Sequence, residues 1–239
     1  MIDPAIDQAK QAAREKVWAL LHDIGAALPP GAHGRIPNFV GADLAADRLA
    51  SLDAWKNARV VKANPDPAQH PVRIQALQEG KLLYMAVPRL ATPEPFYLLD
   101  PAATTEIKTV TTGDGASRHA PRVNLDQMRH VDLIVMGSVA VNRRGVRVGK
   151  GAGYSDIEVA LLTEAGLIGP ETVIVTTVHT AQVLDEALPE TEHDFSVDVI
   201  ITPAETIYCQ PPRRPGGIVA SHLTVDKVRA IPALTRYVE

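Results

Sequence analysis

The amino-acid sequence predicts an α/β protein in which helices flank a mainly parallel sheet. Short apolar segments typical of buried strands alternate along the chain with segments whose apolar residues have helical spacing. Such alternation favours a parallel sheet with right-handed crossover connections. The chain has 239 residues, of which 46% are hydrophobic and 22% are charged, and this is enough for one sizeable core. We therefore expect residues 1–239 to form a single domain.

The first predicted helix is N-terminal. Asp3 and Pro4 are suited to an N-cap and a first helical position. Apolar residues at helical spacing extend this helix over residues 4–28, and Pro29-Pro30-Gly31 should end it. Further helices are predicted at 42–52, at 72–79 with Gly80 as the C-cap, from Ser155 to the glycine at 166, at 179–188, and weakly at 225–234.

The predicted strands are apolar and rich in β-branched residues. They lie at 59–62, 81–87, 97–99, 133–136, 172–178 and 197–202. Residues 91–130 are rich in proline, threonine and glycine, and only 97–99 is strand-like there. A connection of that length is usually functional or mobile, and 111–115 is its most turn-prone part.

The strand at 133–136 leads into a loop that concentrates glycines and cations: Gly145, Arg147, Gly149, Lys150, Gly151 and Gly153. A strand, a cationic glycine loop and a helix start can together bind an anion through main-chain N–H groups. Ser155 and Glu158 fit a capping box that would start the helix at Ser155. The spacing matches neither a P-loop nor GxGxxG. A phosphate site and a mobile surface turn with solvated cations therefore both remain open.

Lys10 and Arg14 lie four residues apart in the first helix and so share a face. They are either a solvated pair, tempered by Asp7 and Glu15, or contacts for an anionic ligand.

Composition limits the other function classes. The net charge of −4 and the lack of a basic, aromatic-rich surface predict no nucleic-acid partner. No apolar run reaches the ~18 residues of a membrane span, and the lone Cys209 fits a reducing compartment. We therefore expect a cytoplasmic protein without a membrane partner. There is no HExxH or paired CxxC, so no zinc site is predicted.

The segment RVGKGAGYSD, residues 147–156, resembles the ATP-binding signature of the 5-formyltetrahydrofolate cyclo-ligase family, roughly R-L-G-x-G-x-G-Y-Y-D. Residues 131–147 and 188–205 are similar to that family's lead-in strand and closing strand. The resemblance implies a three-layer α/β/α sandwich of the kind shared by ribose-phosphate isomerases and CoA transferases. It also implies ATP and Mg²⁺ as cofactors and a small-molecule substrate, a folate or similar heterocycle.

The resemblance also implies roles for individual residues. Arg147 and Lys150 would neutralise phosphate charge during catalysis, and Asp156 would hold magnesium. Phe39 would contact the folate, although a core aromatic is the alternative. The expected folate carboxylate is replaced by Ala45 or Ala46, with Asp43 and Asp47 as candidate substitutes. The nucleotide would be bound by Lys10, Arg14, Gly149, Gly151, Ala152, Gly153, Tyr154 and Ser155.

The implied activity is an ATP-dependent ligase reaction. The formyl oxygen of 5-formyltetrahydrofolate takes the γ-phosphoryl group of ATP, the neighbouring amine closes the five-membered ring, and phosphate leaves to give 5,10-methenyltetrahydrofolate. Ser155 replaces the signature's second aromatic residue, Ile157 stands where bacterial members often have arginine, and the folate carboxylate is not found. These departures favour a divergent branch. The second hypothesis is therefore a nucleotide-binding paralogue that does not cyclise and has a regulatory or thiamine-related role.

Overall fold

The structure is a computed structural model that describes residues 4–210 and 212–238. Asp3, expected to be the first N-cap, lies outside the described residues. The α-helices are α1 (Pro4–Asp23), α2 (Ala42–Ala50), α3 (Asp53–Asn57), α4 (His70–Gln78), α5 (Ile107–Val110), α6 (Gly113–His119), α7 (Tyr154–Glu164), α8 (Val225–Ala230) and α9 (Thr235–Val238). The strands are β1 (Val60–Ala63), β2 (Leu82–Ala86), β3 (Phe96–Leu99), β4 (Arg122–Val123), β5 (Leu133–Met136), β6 (Ala140–Asn142), β7 (Arg147–Val148), β8 (Val173–Thr177), β9 (Val183–Leu184), β10 (Val199–Ile201) and β11 (Thr206–Tyr208).

A large sheet forms the centre of the described structure, with eight strands in the order β11-β10-β8-β5-β1-β2-β3-β4. The five strands from β10 to β2 are parallel to their neighbours. The remaining strands, β11 at one edge and β3 and β4 at the other, pair antiparallel. The prediction of an α/β protein with a mainly parallel sheet is confirmed.

The two faces of this sheet are covered by different helices. Alternate strand residues point to opposite faces, so Val61 and Leu133 pack in one core cluster, and Val60 and Ile134 pack in the other. Helices α2 and α4 bury their apolar residues in the first cluster, whereas α7 does so in the second. The strands are buried on both faces, which explains why their sequences are continuously apolar.

A smaller three-stranded sheet, in the order β7-β6-β9, supports the N-terminal helix. Val17, Trp18 and Leu21 of α1 pack with Val139, Val148 and other buried residues of this region in a third apolar cluster. Because β7 leads directly into the glycine loop, this packing brings α1 to the loop despite a separation of more than a hundred residues.

Helix α1 ends at Asp23, earlier than the predicted boundary near residue 28. Gly25 has a φ of 64°, which turns the chain out of the helix. Residues 26–28 then form backbone hydrogen bonds with 38–40, including Leu28 N–H to Asn38 O at 2.9 Å. The extended pairing replaces the helix although the apolar spacing continues.

Residues 179–188 were expected to be a helix, and that prediction is wrong. His179 caps only a short 3-10 turn over Thr180–Gln182, and Val183–Leu184 pairs parallel with β6. The Gln182 side chain donates to the carbonyl oxygens of Ser138 and Val139 at 2.9 and 3.1 Å. Tertiary hydrogen bonds therefore override the local preference.

The connection at 91–130 is more ordered than its composition indicates. It contains β3, α5, α6 and β4, and the turn-prone segment 111–115 forms the junction between α5 and α6. Buried Arg73 donates to the Thr111 carbonyl at 2.7 Å, which holds this junction against α4. No helix in the described part of the chain is both long and apolar enough to cross a membrane.

Candidate functional site

The glycine loop, residues 149–153, joins β7 to α7 at the side of a cleft. Gly153 caps α7 with a φ of 70°, and no side chain caps this helix. The predicted capping box is wrong, because the helix begins one residue earlier, at Tyr154, and Glu158 points into the protein interior. Main-chain N–H groups of the first turn of a helix lack intrahelical partners. They are therefore open to an anionic ligand, as the sequence indicated.

Arg14 of α1 contacts this loop directly. Its Nε donates to the Gly149 carbonyl oxygen at 2.7 Å, and a Cβ added at Gly151 would lie 3.3 Å from its Cζ. Lys10, one turn earlier, forms an ion pair of 2.5 Å with Asp194. Burial lowers the pKa of Arg14, with nearby Arg147 acting in the same direction. The expectation that Lys10 and Arg14 lie near the loop is confirmed, and the reading as a merely solvated pair is not supported.

Arg147 lies under the loop and is almost completely buried. Its Nη1 donates to Asp156 Oδ1 at 3.3 Å and its Nη2 to the Gly137 carbonyl at 3.3 Å, and its guanidinium lies 4.8 Å from the Phe195 ring centroid. A Cβ at position 149 would lie 2.6 Å from Arg147 Nη2. A larger residue at 149 would therefore have to displace this guanidinium from its contacts with Asp156 and Gly137.

Asp156 is in the first turn of α7, and its side chain is only 16% exposed. Burial raises the pKa of this carboxyl, while Arg147 acts in the opposite direction. Asp156 is thus a partly desolvated carboxylate held by a cation.

The cleft beside the loop has a volume of about 510 Å³, within the usual range for small-molecule sites. It lies at the carboxyl ends of β1 and β2, the edge where open α/β sheets bind ligands. Its charges balance: Lys10, Arg14, Arg89, Arg147 and Lys150 face Asp7, Asp66, Asp156, Glu158 and Asp194. Lys150 and Arg89 are exposed and, among the described residues, have no ion-pair partner.

Comparison with known proteins gives the family. A sequence model of the 5-formyltetrahydrofolate cyclo-ligase family matches residues 6–203. The chain belongs to this family. It is 38% identical over 240 residues to a methenyltetrahydrofolate synthase domain-containing protein of Bos taurus. This match covers 98% of this chain and 63% of that protein. Its Mus musculus counterpart is 40% identical over 234 residues, 95% of this chain and 62% of that protein. The chain thus spans less than two thirds of these curated relatives.

A solved structure supports the fold. The NMR structure of Aquifex aeolicus 5,10-methenyltetrahydrofolate synthetase aligns with 86% of this chain and 95% of its own, with a TM-score of 0.55 and 22% identity. The cyclo-ligase signature, residues 147–156, therefore lies in a fold shared with a synthetase of that name.

The structure places the family-derived residues in two groups. Phe39 has no exposed surface and packs in the core. This position agrees with the alternative given for Phe39, a core aromatic residue. Asp43 and Asp47 are exposed on α2. None of these three is among the described residues that line the cleft, whereas all the loop and cation residues named for nucleotide and metal binding are.

Several cleft residues were not found by reading the sequence. Glu158 pairs with Lys62, a lysine with no exposed surface in the middle of β1. Asp194 accepts from Lys10 and from the Thr191 N–H, and these contacts hold the pKa of its carboxyl below its ordinary value although burial opposes them. The sequence does contain one signal for the Lys62–Glu158 pair. A lysine in an apolar strand, as in Val60-Val61-Lys62-Ala63, indicates a buried carboxylate partner.

Proposed function

We propose that this cyclo-ligase family member is an ATP-dependent ligase that activates a formyl oxygen of a folate by phosphoryl transfer and then closes the ring. One observation carries the proposal. Arg14 from α1 and Arg147 from β7 converge on a glycine loop at a helix start, beside a cleft of about 510 Å³. Phosphoryl transfer needs chiefly positioning and charge neutralisation, and this arrangement supplies both.

Each part of the loop has a distinct task in this proposal. The amides of Gly149 to Gly153 and the start of α7 bind phosphate oxygens. Lys150 is exposed at the cleft, so its charge is available to a ligand. Arg147 is buried, and its Nε has no acceptor among the described residues. A buried donor without an acceptor is costly, so an anion at this point would be stabilised.

The donor set also fits magnesium. No group of three or more His, Cys, Asp or Glu side chains in the described residues is arranged to hold a metal ion. Magnesium bound with a nucleotide needs only one or two protein carboxylates, and Asp156 lies beside the loop. When bound, the ion would neutralise phosphate charge. Arg147 orients the Asp156 carboxylate through the 3.3 Å contact.

The remaining wall of the cleft is the proposed acceptor side. It is formed by residues that follow β1 and β2, including Asn64, Asp66, Val87 and Arg89. Arg89 has a φ of 59°, and non-glycine residues in this strained region cluster at ligand sites. A folate-like heterocycle here would place its formyl oxygen between this wall and the loop.

A second candidate is a paralogue that binds the nucleotide without cyclising a folate. The position of Phe39 in the core and of Asp43 and Asp47 outside the cleft favours it, since the folate contacts expected in this neighbourhood are missing. The two candidates share the nucleotide site and differ in the acceptor.

A phosphate-release assay with magnesium and ATP tests the proposal. The panel contains 5-formyltetrahydrofolate, other folates and thiamine-related compounds, and the appearance of 5,10-methenyltetrahydrofolate is followed by its absorbance. Formation of this product with equimolar phosphate supports the ligase. Nucleotide binding without turnover of any folate favours the paralogue, and no nucleotide binding removes both.

Lys150→Ala provides the site-specific test. It should weaken ATP binding by ~1.5–3 kcal/mol, the contribution of a hydrogen bond to a charged group. Lys56→Ala is the matched control, because Lys56 is an exposed lysine on α3 whose ammonium forms an ion pair with exposed Asp53 at 3.8 Å, away from the residues that line the cleft. Equal affinities of the two variants in calorimetry would mean that Lys150 does not contact the phosphates.

A further inference from the structure

The chain continues beyond the part that the family model matches, and this C-terminal part returns to the glycine loop. We call residues 218–234 the C-terminal strap. The family match ends at residue 203, whereas the match to the Bos taurus relative covers 98% of the chain. The strap contains α8 and, on either side of it, the 3-10 turns Ala220–His222 and Pro232–Leu234.

The strap is anchored at both ends. Ile231 and Leu234 have no exposed surface and pack in the same core cluster as Leu161 of α7. At the other end, the Ile218 N–H donates to Glu164 Oε1, near the end of α7, at 2.9 Å. The strap therefore has a fixed position beside the helix that follows the glycine loop.

Lys227 extends from the strap to the loop. Its Nζ donates to the Ala152 carbonyl oxygen at 2.7 Å and lies 3.6 Å from the centroid of the Tyr154 ring. Thr224 caps α8 by accepting from the Lys227 N–H at 3.2 Å, which fixes the backbone from which this side chain extends. Lys227 is not among the described residues that line the cleft.

A second contact ties the strap to the cleft wall. His222 Nδ1 and His193 Nδ1 are 2.8 Å apart, so one ring donates to the other. His193 lines the cleft next to Asp194, the partner of Lys10. The strap therefore contacts the glycine loop and a second residue that lines the cleft.

The glycine loop is consequently held at two carbonyl groups, by Arg14 at Gly149 and by Lys227 at Ala152. In a trans peptide the C=O and the following N–H point in opposite directions. Lys227 holds the Ala152 carbonyl towards the strap, so the Gly153 N–H of the same peptide points away from Lys227. The Gly153 amide is at the start of α7, where an anion gains most from the helix dipole.

We propose that Lys227 is a positioning residue that fixes the Ala152–Gly153 peptide for phosphate binding, and that the C-terminal strap is thus part of the nucleotide site. This proposal rests on the proposed nucleotide-binding function. It assigns to Lys227 no contact with the ligand, only the orientation of an amide that makes one.

The experiment compares Lys227→Met, Lys227→Arg and the control Arg229→Met in the full chain. Arg229 is exposed on the same helix, so its replacement tests for a general effect of lost charge on α8. In Lys227→Met, the KM and the Kd for ATP should rise about ten-fold, because the Gly153 amide would lose its hydrogen bond to the phosphate. The kcat should stay within about two-fold of that of the unaltered protein. Lys227→Arg should recover most of the affinity, because arginine keeps both the carbonyl and the ring contact.

Hydrogen exchange in the absence of ligand separates this proposal from the proposed function. In Lys227→Met, amide exchange of residues 149–154 should accelerate, with unchanged exchange in the central strands and in α8. If the unaltered protein binds no ATP, the proposed function fails, and faster loop exchange still supports the positioning role. If amide exchange of the loop in Lys227→Met equals that in the unaltered protein, the positioning role is overturned. An ATP affinity in Lys227→Met equal to that in Arg229→Met overturns it as well.

Discussion

Replacing Lys62 by methionine should destabilise the protein more than any exposed charge change. Lys62 lies in the middle of β1 with no exposed surface, and its Nζ contacts the Glu158 carboxylate, Asn64 Oδ1 at 2.8 Å and Met136 Sδ at 3.6 Å. Methionine keeps most of the aliphatic volume, so little of the effect comes from a cavity. The main effect is that Glu158, only 5% exposed, is left as a buried charge without its partner.

The expected loss is ~3–5 kcal/mol in the free energy of unfolding, which is typical when one partner of a buried ion pair is removed. The reverse single substitution, Glu158→Leu, should cost a similar amount, because it strands the Lys62 ammonium. The double substitution Lys62→Met/Glu158→Leu removes both charges together. It should lose only ~0–2 kcal/mol, since apolar replacement of a whole buried pair is often close to neutral.

Urea unfolding followed by tryptophan fluorescence measures these differences. Trp18 packs against the small sheet and Trp55 against the central sheet, so the fluorescence reports on both regions. A coincident transition in far-UV circular dichroism would establish two-state behaviour. The reasoning is refuted if the single variants lose less than ~1 kcal/mol, or if the double variant loses the sum of the two single losses.

Three further predictions concern separate parts of the molecule. Asp156→Asn should lower any turnover at least ten-fold and raise the magnesium concentration needed for half-maximal activity; an active enzyme with unchanged magnesium dependence would exclude the metal role. Arg73→Met should cost ~2–4 kcal/mol in urea unfolding, because several buried backbone carbonyls, including that of Thr111, lose their donor. Burial raises the pKa of Cys209 to about 11, so iodoacetamide at pH 8 should alkylate it roughly 100-fold more slowly than in the urea-unfolded chain; equal rates would contradict the burial.

The order of elements and the location of the loop could be predicted because both depend on local information. Continuous apolar strands predict burial on two faces, and glycines with cations before a helix predict an anion site. The spacing of Lys10 and Arg14 gave their shared helix face, and the family resemblance indicated that this face meets the loop. In the structure it does, through the Arg14 contact with Gly149.

The failures occurred where a distant partner decides the conformation. Ser155 and Glu158 satisfy the capping-box pattern, but the buried ammonium of Lys62 attracts the Glu158 carboxylate into the interior. Gln182 similarly bonds the carbonyls after β5, so residues 179–188 form a turn and a strand. No local pattern contains these partners, since each is at least 43 residues away in sequence.

The balanced charge of the cleft has a consequence for how a nucleotide would bind. In the ligand-free protein, Lys10 and Arg147 are already paired with Asp194 and Asp156, which keeps both cations in place without a buried excess of positive charge. Lys150 and Arg89, which have no ion-pair partner among the described residues, would meet part of the charge of a triphosphate, and its remaining negative charge would lie beside the cleft carboxylates. A magnesium ion bound with the nucleotide would reduce that negative charge, and Asp156 is the carboxylate that would hold it. The charges of the cleft thus favour the metal complex of the nucleotide over the free anion, because the complex adds less negative charge beside these carboxylates.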